Sequence, residues 1–145
     1  MMPKIIFDLH LFESPKDIPR SRKTLLKLME VLTQINNDWL INHKIPSLYK
    51  TRIIYKPERS TEIWKDIPSI MRDGFGDCED LACWRIAELR NIGVMAKPYI
   101  KWTDKNGASR FHAVLLLPNG FIEDPSRSLG MSGHPITRTP VYVEP

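Results

Sequence analysis

The chain has 145 residues, 42% of them hydrophobic and 26% charged, with a formal net charge of +4 when histidines are neutral. That length suits one domain of ordinary globular composition, large enough to bury roughly 70% of its unfolded surface without disulfides or metal, which excludes wholesale disorder. No apolar run approaches the ~20 residues needed to span a bilayer, and the opening MMPKIIFDLHLFESP lacks a signal-peptide core and cleavage site, so no membrane segment and no export route are expected.

In residues 4–12, Ile5, Phe7, Leu9 and Leu11 alternate, which predicts a strand or an extended arm, broken by Pro15 and Pro19. Residues 1–20 are therefore read as an N-terminal arm. Over 22–43, Leu25, Leu28, Leu32, Ile35 and Trp39 recur at helical steps, with Met29 and Ile41 widening the stripe and Ser21 placed as N-cap. This helix should stop before Pro46. Pro57 and Pro68 limit regular structure in 47–72, where a short helix over 60–66 or 66–72 ends near Gly74, and Gly74-Phe75-Gly76 reads as a tight connection.

Residues 78–92 predict the second long helix, with Asp77 as N-cap, Gly93 just past the end, and Leu81, Ala82, Ile86 and Leu89 on one face. Arg85 and Arg90 suit its C-terminal half. Beyond Gly93 the period changes to two. Residues 94–102 read as a strand, at an edge or with a bulge because of Pro98; 104–107 as a turn; 110–117 as a buried strand; 118–120 as a hairpin loop; and 121–124 as its return strand. Residues 126–140 read as irregular, Val141–Val143 as a last strand, and 131–145 as a proline-containing tail. Helices followed by a hairpin-rich sheet give an α+β class in one domain, 1–145.

The two cysteines, Cys78 and Cys83, lie five positions apart in one helix and point in different directions, which argues against a disulfide and for free thiols in a reducing compartment such as the cytoplasm. Cys78 opens its helix. There the unpaired N–H groups favour a thiolate, and its own N–H can serve as an oxyanion donor. Glu79 and Asp80 oppose the thiolate by repulsion, so a cationic partner is needed, and histidine is the usual one.

Among His10, His43, His112 and His134, the hairpin singles out His112. A two-residue loop, Asn119-Gly120, would set 115 opposite 124 and put His112 and Asp124 on opposite faces. A three-residue loop, Pro118-Asn119-Gly120, sets 114 opposite 124 and puts both on one face. Proline, asparagine and glycine in that order suit the three-residue loop. Asp124 can then hydrogen-bond His112 and fix its tautomer, giving Cys78 as nucleophile, His112 as base and Asp124 as orienter. The bland readings are a buried hydrophobic cysteine and a structural histidine. A zinc site from the same three residues ranks below catalysis for want of a close-spaced ligand pair, so no metal and no cofactor are expected.

The runs Gly76-Asp77-Cys78-Glu79-Asp80-Leu81-Ala82, Phe111-His112-Ala113-Val114 and Phe121-Ile122-Glu123-Asp124-Pro125-Ser126 resemble, in kind and order, the transglutaminase-like superfamily, in its compact bacterial and phage form. The resemblance covers about residues 60–130. It implies a papain-like core, with a helix carrying Cys78 packed on an antiparallel sheet carrying His112 and Asp124. It also implies acyl transfer at a peptide-like or glutamine amide, as a cysteine peptidase, amidase or transglutaminase-like enzyme. Trp64 and Tyr55 are candidates for a second oxyanion donor, and Arg127 for a cleft border. Over these 145 residues the resemblance is to the compact form, without the extra domains and calcium-site loop of larger members, so protein cross-linking is not the expected activity.

The competing reading is a catalytically idle module, such as a phage virion or assembly component docking through its arm and tail onto other phage structural proteins. A third reading uses the basic groups Lys16, Arg20, Arg22, Lys23 and Lys27, and Lys44, Lys50, Arg52, Lys56 and Arg59, to bind a polyanion. With no stacking-aromatic signature and no zinc-finger spacing, a solvated face explains them better, and nucleic acid is not expected as a partner.

Overall fold

The computed structural model describes residues 3–9, 18–58, 62–105 and 108–145. Helix α1 spans Ile18–Asn42 and buries Leu25, Met29 and Leu32. It begins before the expected 22, so Ser21 is a buried helical residue and not the cap. Pro19 does not break the chain; in a first turn its missing N–H has no partner to lose. The stripe fades toward the C-terminal end, where Ile35 and Ile41 face solvent. Residues 3–9 lie in no helix or strand, and Ile5, Ile6 and Phe7 are exposed; the rest of the expected 4–12 element lies outside the described residues.

A short 3-10 turn at Leu48–Lys50 leads to strand β1, Ile54–Tyr55. Helix α2, Ile67–Asp73, starts at Asp66, whose carboxylate accepts from Ser69 N at 3.1 Å, and ends at Gly74, which has φ +83°. The expected tight connection at 74–76 contains strand β2, Phe75–Gly76, paired in parallel with β1 as Ile54↔Phe75 and Tyr55↔Gly76. A two-residue ladder between distant segments leaves no periodicity to read.

Helix α3, Cys78–Asn91, is buried on most of its circumference: Leu81, Ala82, Cys83, Trp84, Ile86 and Ala87 are all inaccessible. It packs between α1, the sheet and the C-terminal segment. Arg90 pairs in two bonds with Glu30 of α1, at 2.8 and 2.9 Å, and donates to Ala96 O.

The four-stranded antiparallel sheet has the order β3-β4-β5-β6, with β3 Lys97–Lys105, β4 Ala108–Leu116, β5 Ile122–Glu123 and β6 Tyr142–Val143. Pro98 sits on the edge strand, as expected. Strand β3 starts later than 94 and runs on through Asp104 and Lys105, which pair with Ser109 and Ala108 where a turn was expected. The 118–120 loop follows the three-residue reading. Leu117 N donates to Phe121 O at 2.9 Å, Gly120 has φ +89°, and the ladder pairs Leu115↔Glu123 and Leu116↔Ile122. The tail holds a helical turn, α4 Pro125–Ser128, where irregular chain was expected.

The fold is thus α+β among the described residues. One apolar cluster joins α1, α3 and the sheet through Met29, Ala82, Cys83, Ile86, Ile100, Ala113 and Leu115. A second lies across α3 and joins Leu48, Ile53, Ile67, Ile70, Leu81, Trp84 and Leu129. No helix of the described residues is long and apolar enough to cross a membrane.

Candidate active site

Cys78 is the first residue of α3 because Asp77 ends the preceding strand in extended backbone, and Asp80 Oδ2 accepts from Asp77 N at 3.1 Å. Gly76 leaves Asp80 room at this corner. A Cβ there would fall 3.0 Å from Asp80 Cβ. Cys78 and Cys83 are free thiols, Cys78 half-buried and Cys83 buried.

His112 lies on β4 and Asp124 just after β5. The observed register extends to put 114 opposite 124, so the two side chains are diagonal neighbours on one face. His112 Nε2 lies 2.8 Å from Asp124 Oδ2. A carboxylate only accepts, so Nε2 carries a proton, and in the neutral imidazole the lone pair is on Nδ1. Asp124 is itself fixed. It caps α4, where Oδ1 accepts from Arg127 N at 3.3 Å, and Arg127 Nε lies 3.6 Å from Oδ2. Arg127 thus borders the pair, with its side chain half-exposed.

The nucleophile's surroundings differ from the expected ion pair. Burial, with the charge of Asp77 adding to it, pushes the Cys78 thiol up to about 12, while the Ala113 backbone and Glu79 pull the other way. The resting group is a neutral thiol, and it donates to Glu79 Oε2 at 3.3 Å. No hydrogen bond joins Cys78 to His112 among the described residues. The partial charge of a helix N-terminus, equivalent to about +0.5, is outweighed by burial, with the charge of Asp77 adding to it. Ala113, next to His112, nevertheless brings β4 against the sulfur.

Parallel pairing with Gly76 carries Tyr55 to the same corner. Its phenol is pushed up to about 12 by burial and by Cys78, Asp77, Glu79 and Asp124, so it stays a donor at neutral pH. Trp64 packs on the same cluster as Cys78 and lies against Glu62, whose carboxyl burial and Asp77 raise above its ordinary value although the contact with Trp64 pulls the other way. Of the two oxyanion candidates, Tyr55 is the one set among Cys78 and Asp124.

Burial raises Glu79 well above the usual carboxylate range, with Cys78 and Asp77 adding to it, and burial with Asp77 raises Asp80 to about 9. Glu79 Oε1 and Asp77 Oδ1 are buried without a hydrogen-bond partner. Carboxylate oxygens of Glu58, Glu62 and Asp77, and of Asp77, Glu79 and Asp80, lie within 4.8 Å of one another, so these residues could hold a cation. Neither group includes Cys78, His112 or Asp124. The sequence marked Glu79 and Asp80 as charges but missed that they are buried; a polar run at a helix start carries no signal for that.

No protein-family model, no curated protein and no solved structure matches this chain.

Proposed function

We propose that this protein is a cysteine-dependent acyl-transfer enzyme with a papain-like, transglutaminase-like core, acting on a peptide-like or glutamine amide. The single observation that carries the reading is the His112 Nε2–Asp124 Oδ2 bond, which leaves Nδ1 as a free base on the strand that touches the Cys78 sulfur. Because the resting thiol is neutral, deprotonation belongs to the reaction step. His112 Nδ1 takes the thiol proton as sulfur bonds to the amide carbon. The Cys78 N–H and the Tyr55 hydroxyl are the donors assigned to the developing oxyanion. Collapse breaks the C–N bond, and His112 returns the proton to the departing nitrogen. Water or an amine then attacks the thioester and restores the thiol. Two free thiols suit a reducing compartment, or a virion if the chain serves a phage.

The test measures ammonia release and hydroxylamine incorporation on glutamine-containing peptides, together with iodoacetamide labelling of Cys78 against pH. Cys78→Ala should abolish turnover. His112→Ala should lower it roughly 10²–10⁴-fold, the usual contribution of a general base, and slow Cys78 labelling. Equal, slow labelling in parent and variant, with no turnover, would sink the reading. It would favour an idle module, such as a phage structural component, for which the neutral thiol and the exposed Ile5, Ile6 and Phe7 are the specific observations.

A further inference from the structure

Strand β5 holds Asp124 in place yet has only two paired residues, Ile122 and Glu123. A ladder that short cannot by itself fix a carboxylate to the precision a hydrogen bond to His112 demands. The residue before Asp124 supplies a second anchor. Glu123 is 1% exposed. It accepts from the Tyr49 hydroxyl at 2.6 Å, from Arg85 Nε at 2.7 Å and from Arg85 Nη2 at 3.5 Å. The guanidinium lies over the Tyr49 ring, 4.9 Å from its centroid, and also bonds Glu88 at 3.1 Å. Glu88 in turn accepts from Leu48 N at 2.6 Å and Ser47 Oγ at 3.3 Å, which ties in the turn that carries Tyr49.

Arg85 stands about two helical turns beyond Cys78 on α3, on the same side of the helix. One rigid helix therefore sets the nucleophile at its first residue and, through Arg85, the strand that carries Asp124. Burying these charges works against stability, since a well-packed apolar set of the same volume would be neutral or better. Burial opposes the charge on Arg85, and its bonds to Glu123 override that, so the guanidinium stays charged. Its retention has a geometric explanation.

We propose that Arg85, Glu123 and Tyr49 form a positioning clamp that locks Asp124, and through it the tautomer and orientation of His112, in register with Cys78. These are positioning residues; none of them is placed to touch substrate. The proposal rests on the acyl-transfer reading for its purpose, but its geometric claim can be read independently of turnover.

The experiment uses the full chain and three variants: Arg85→Met/Glu123→Met, which removes both charges together, Tyr49→Phe, which removes one bond to Glu123, and Arg85→Lys. Nitrogen-15 NMR of His112 at alkaline pH reads the imidazole tautomer, and iodoacetamide reads Cys78 against pH. The parent should show the Nε2–H tautomer. The double variant should fold, lose that tautomer preference, and label Cys78 roughly tenfold more slowly or beyond, as expected when a reacting group moves by an ångström. Tyr49→Phe should fall between, and Arg85→Lys should recover part of the effect. A folded double variant with the parental tautomer and labelling profile would overturn the clamp. If the double variant does not fold, an unchanged His112 tautomer in Tyr49→Phe overturns it instead. If Cys78 labelling in the parent does not respond to His112→Ala, the enzyme reading fails while the tautomer measurement still decides the clamp.

Discussion

Two acidic groups lie against helix α3, one at its N-terminus and one about two turns on, and among the described residues only the second has a cation beside it. At the N-terminus, Asp77, Glu79 and Asp80 crowd around Cys78 with no ion pair to any of them among the described residues. Burial resolves the crowding by protonation, pushing Glu79 and Asp80 upward. Two turns on, Glu88 and Glu123 share the Arg85 guanidinium, although burial still raises Glu88 above its ordinary value. A carboxylate out of water must find a cation or a proton. The choice decides what each region can do. The ion-paired region is pinned by directional bonds and suits positioning. The protonated region is poised to change charge, and it holds the thiol that the proposed chemistry would deprotonate.

The sharpest break of this comparison is Arg85→Ala. It leaves Glu123 and Glu88 buried without a cation and should cost about 3–5 kcal/mol, read by urea unfolding. Asp80→Ala comes next. Asp80 accepts from Lys65 N at 2.7 Å and from Asp77 N at 3.1 Å, so its loss strands two buried donors and should cost about 2–4 kcal/mol. Gly76→Ala acts on the same corner through sterics and should cost about 1–3 kcal/mol by forcing Asp80 aside. Far-UV circular dichroism melts would rank all three.

The protonated region also predicts a pH signature. The folded state binds protons on Glu79 and Asp80 that the unfolded chain has released, so unfolding free energy falls as pH rises. That stability is fully present below the ordinary carboxylate range and is lost as pH rises through about 9, the folded value of Asp80. Unfolding in urea at pH 5, 7 and 9 should show a steady decline. A rise over that interval would contradict protonated carboxyls at the helix start. Glu79→Gln is the mildest change: it keeps an acceptor for the Cys78 thiol and replaces a group already held neutral. It should alter stability by less than about 1 kcal/mol at pH 6 and flatten the decline toward pH 9, because one proton fewer is linked to folding.

How much of this was legible beforehand divides along the same helix. The start of α3 was readable because a capping aspartate, an apolar stripe and a following glycine are local signals, as was Gly74 at the end of α2, whose start the sequence left open between 60 and 66. The closeness of His112 and Asp124 was readable because Pro118, Asn119 and Gly120 fix the loop length and the loop length fixes the register. The α1 start was missed because a proline in the first turn resembles a breaker, and α4 because one helical turn has no period.

The sequence by itself therefore determined the helix that presents Cys78 and the hairpin that joins His112 to Asp124; both depend on residues adjacent in the chain, whose turn and capping chemistry acts over a few bonds. Only the tertiary structure decided that Tyr55 arrives beside Gly76, that Cys78 rests as a neutral thiol on Glu79, and that Arg85 and Tyr49 grip Glu123. Those outcomes rest on burial and on pairings between distant segments, where desolvation and long-range geometry set the charge state, and neither quantity is written in the local order of residues.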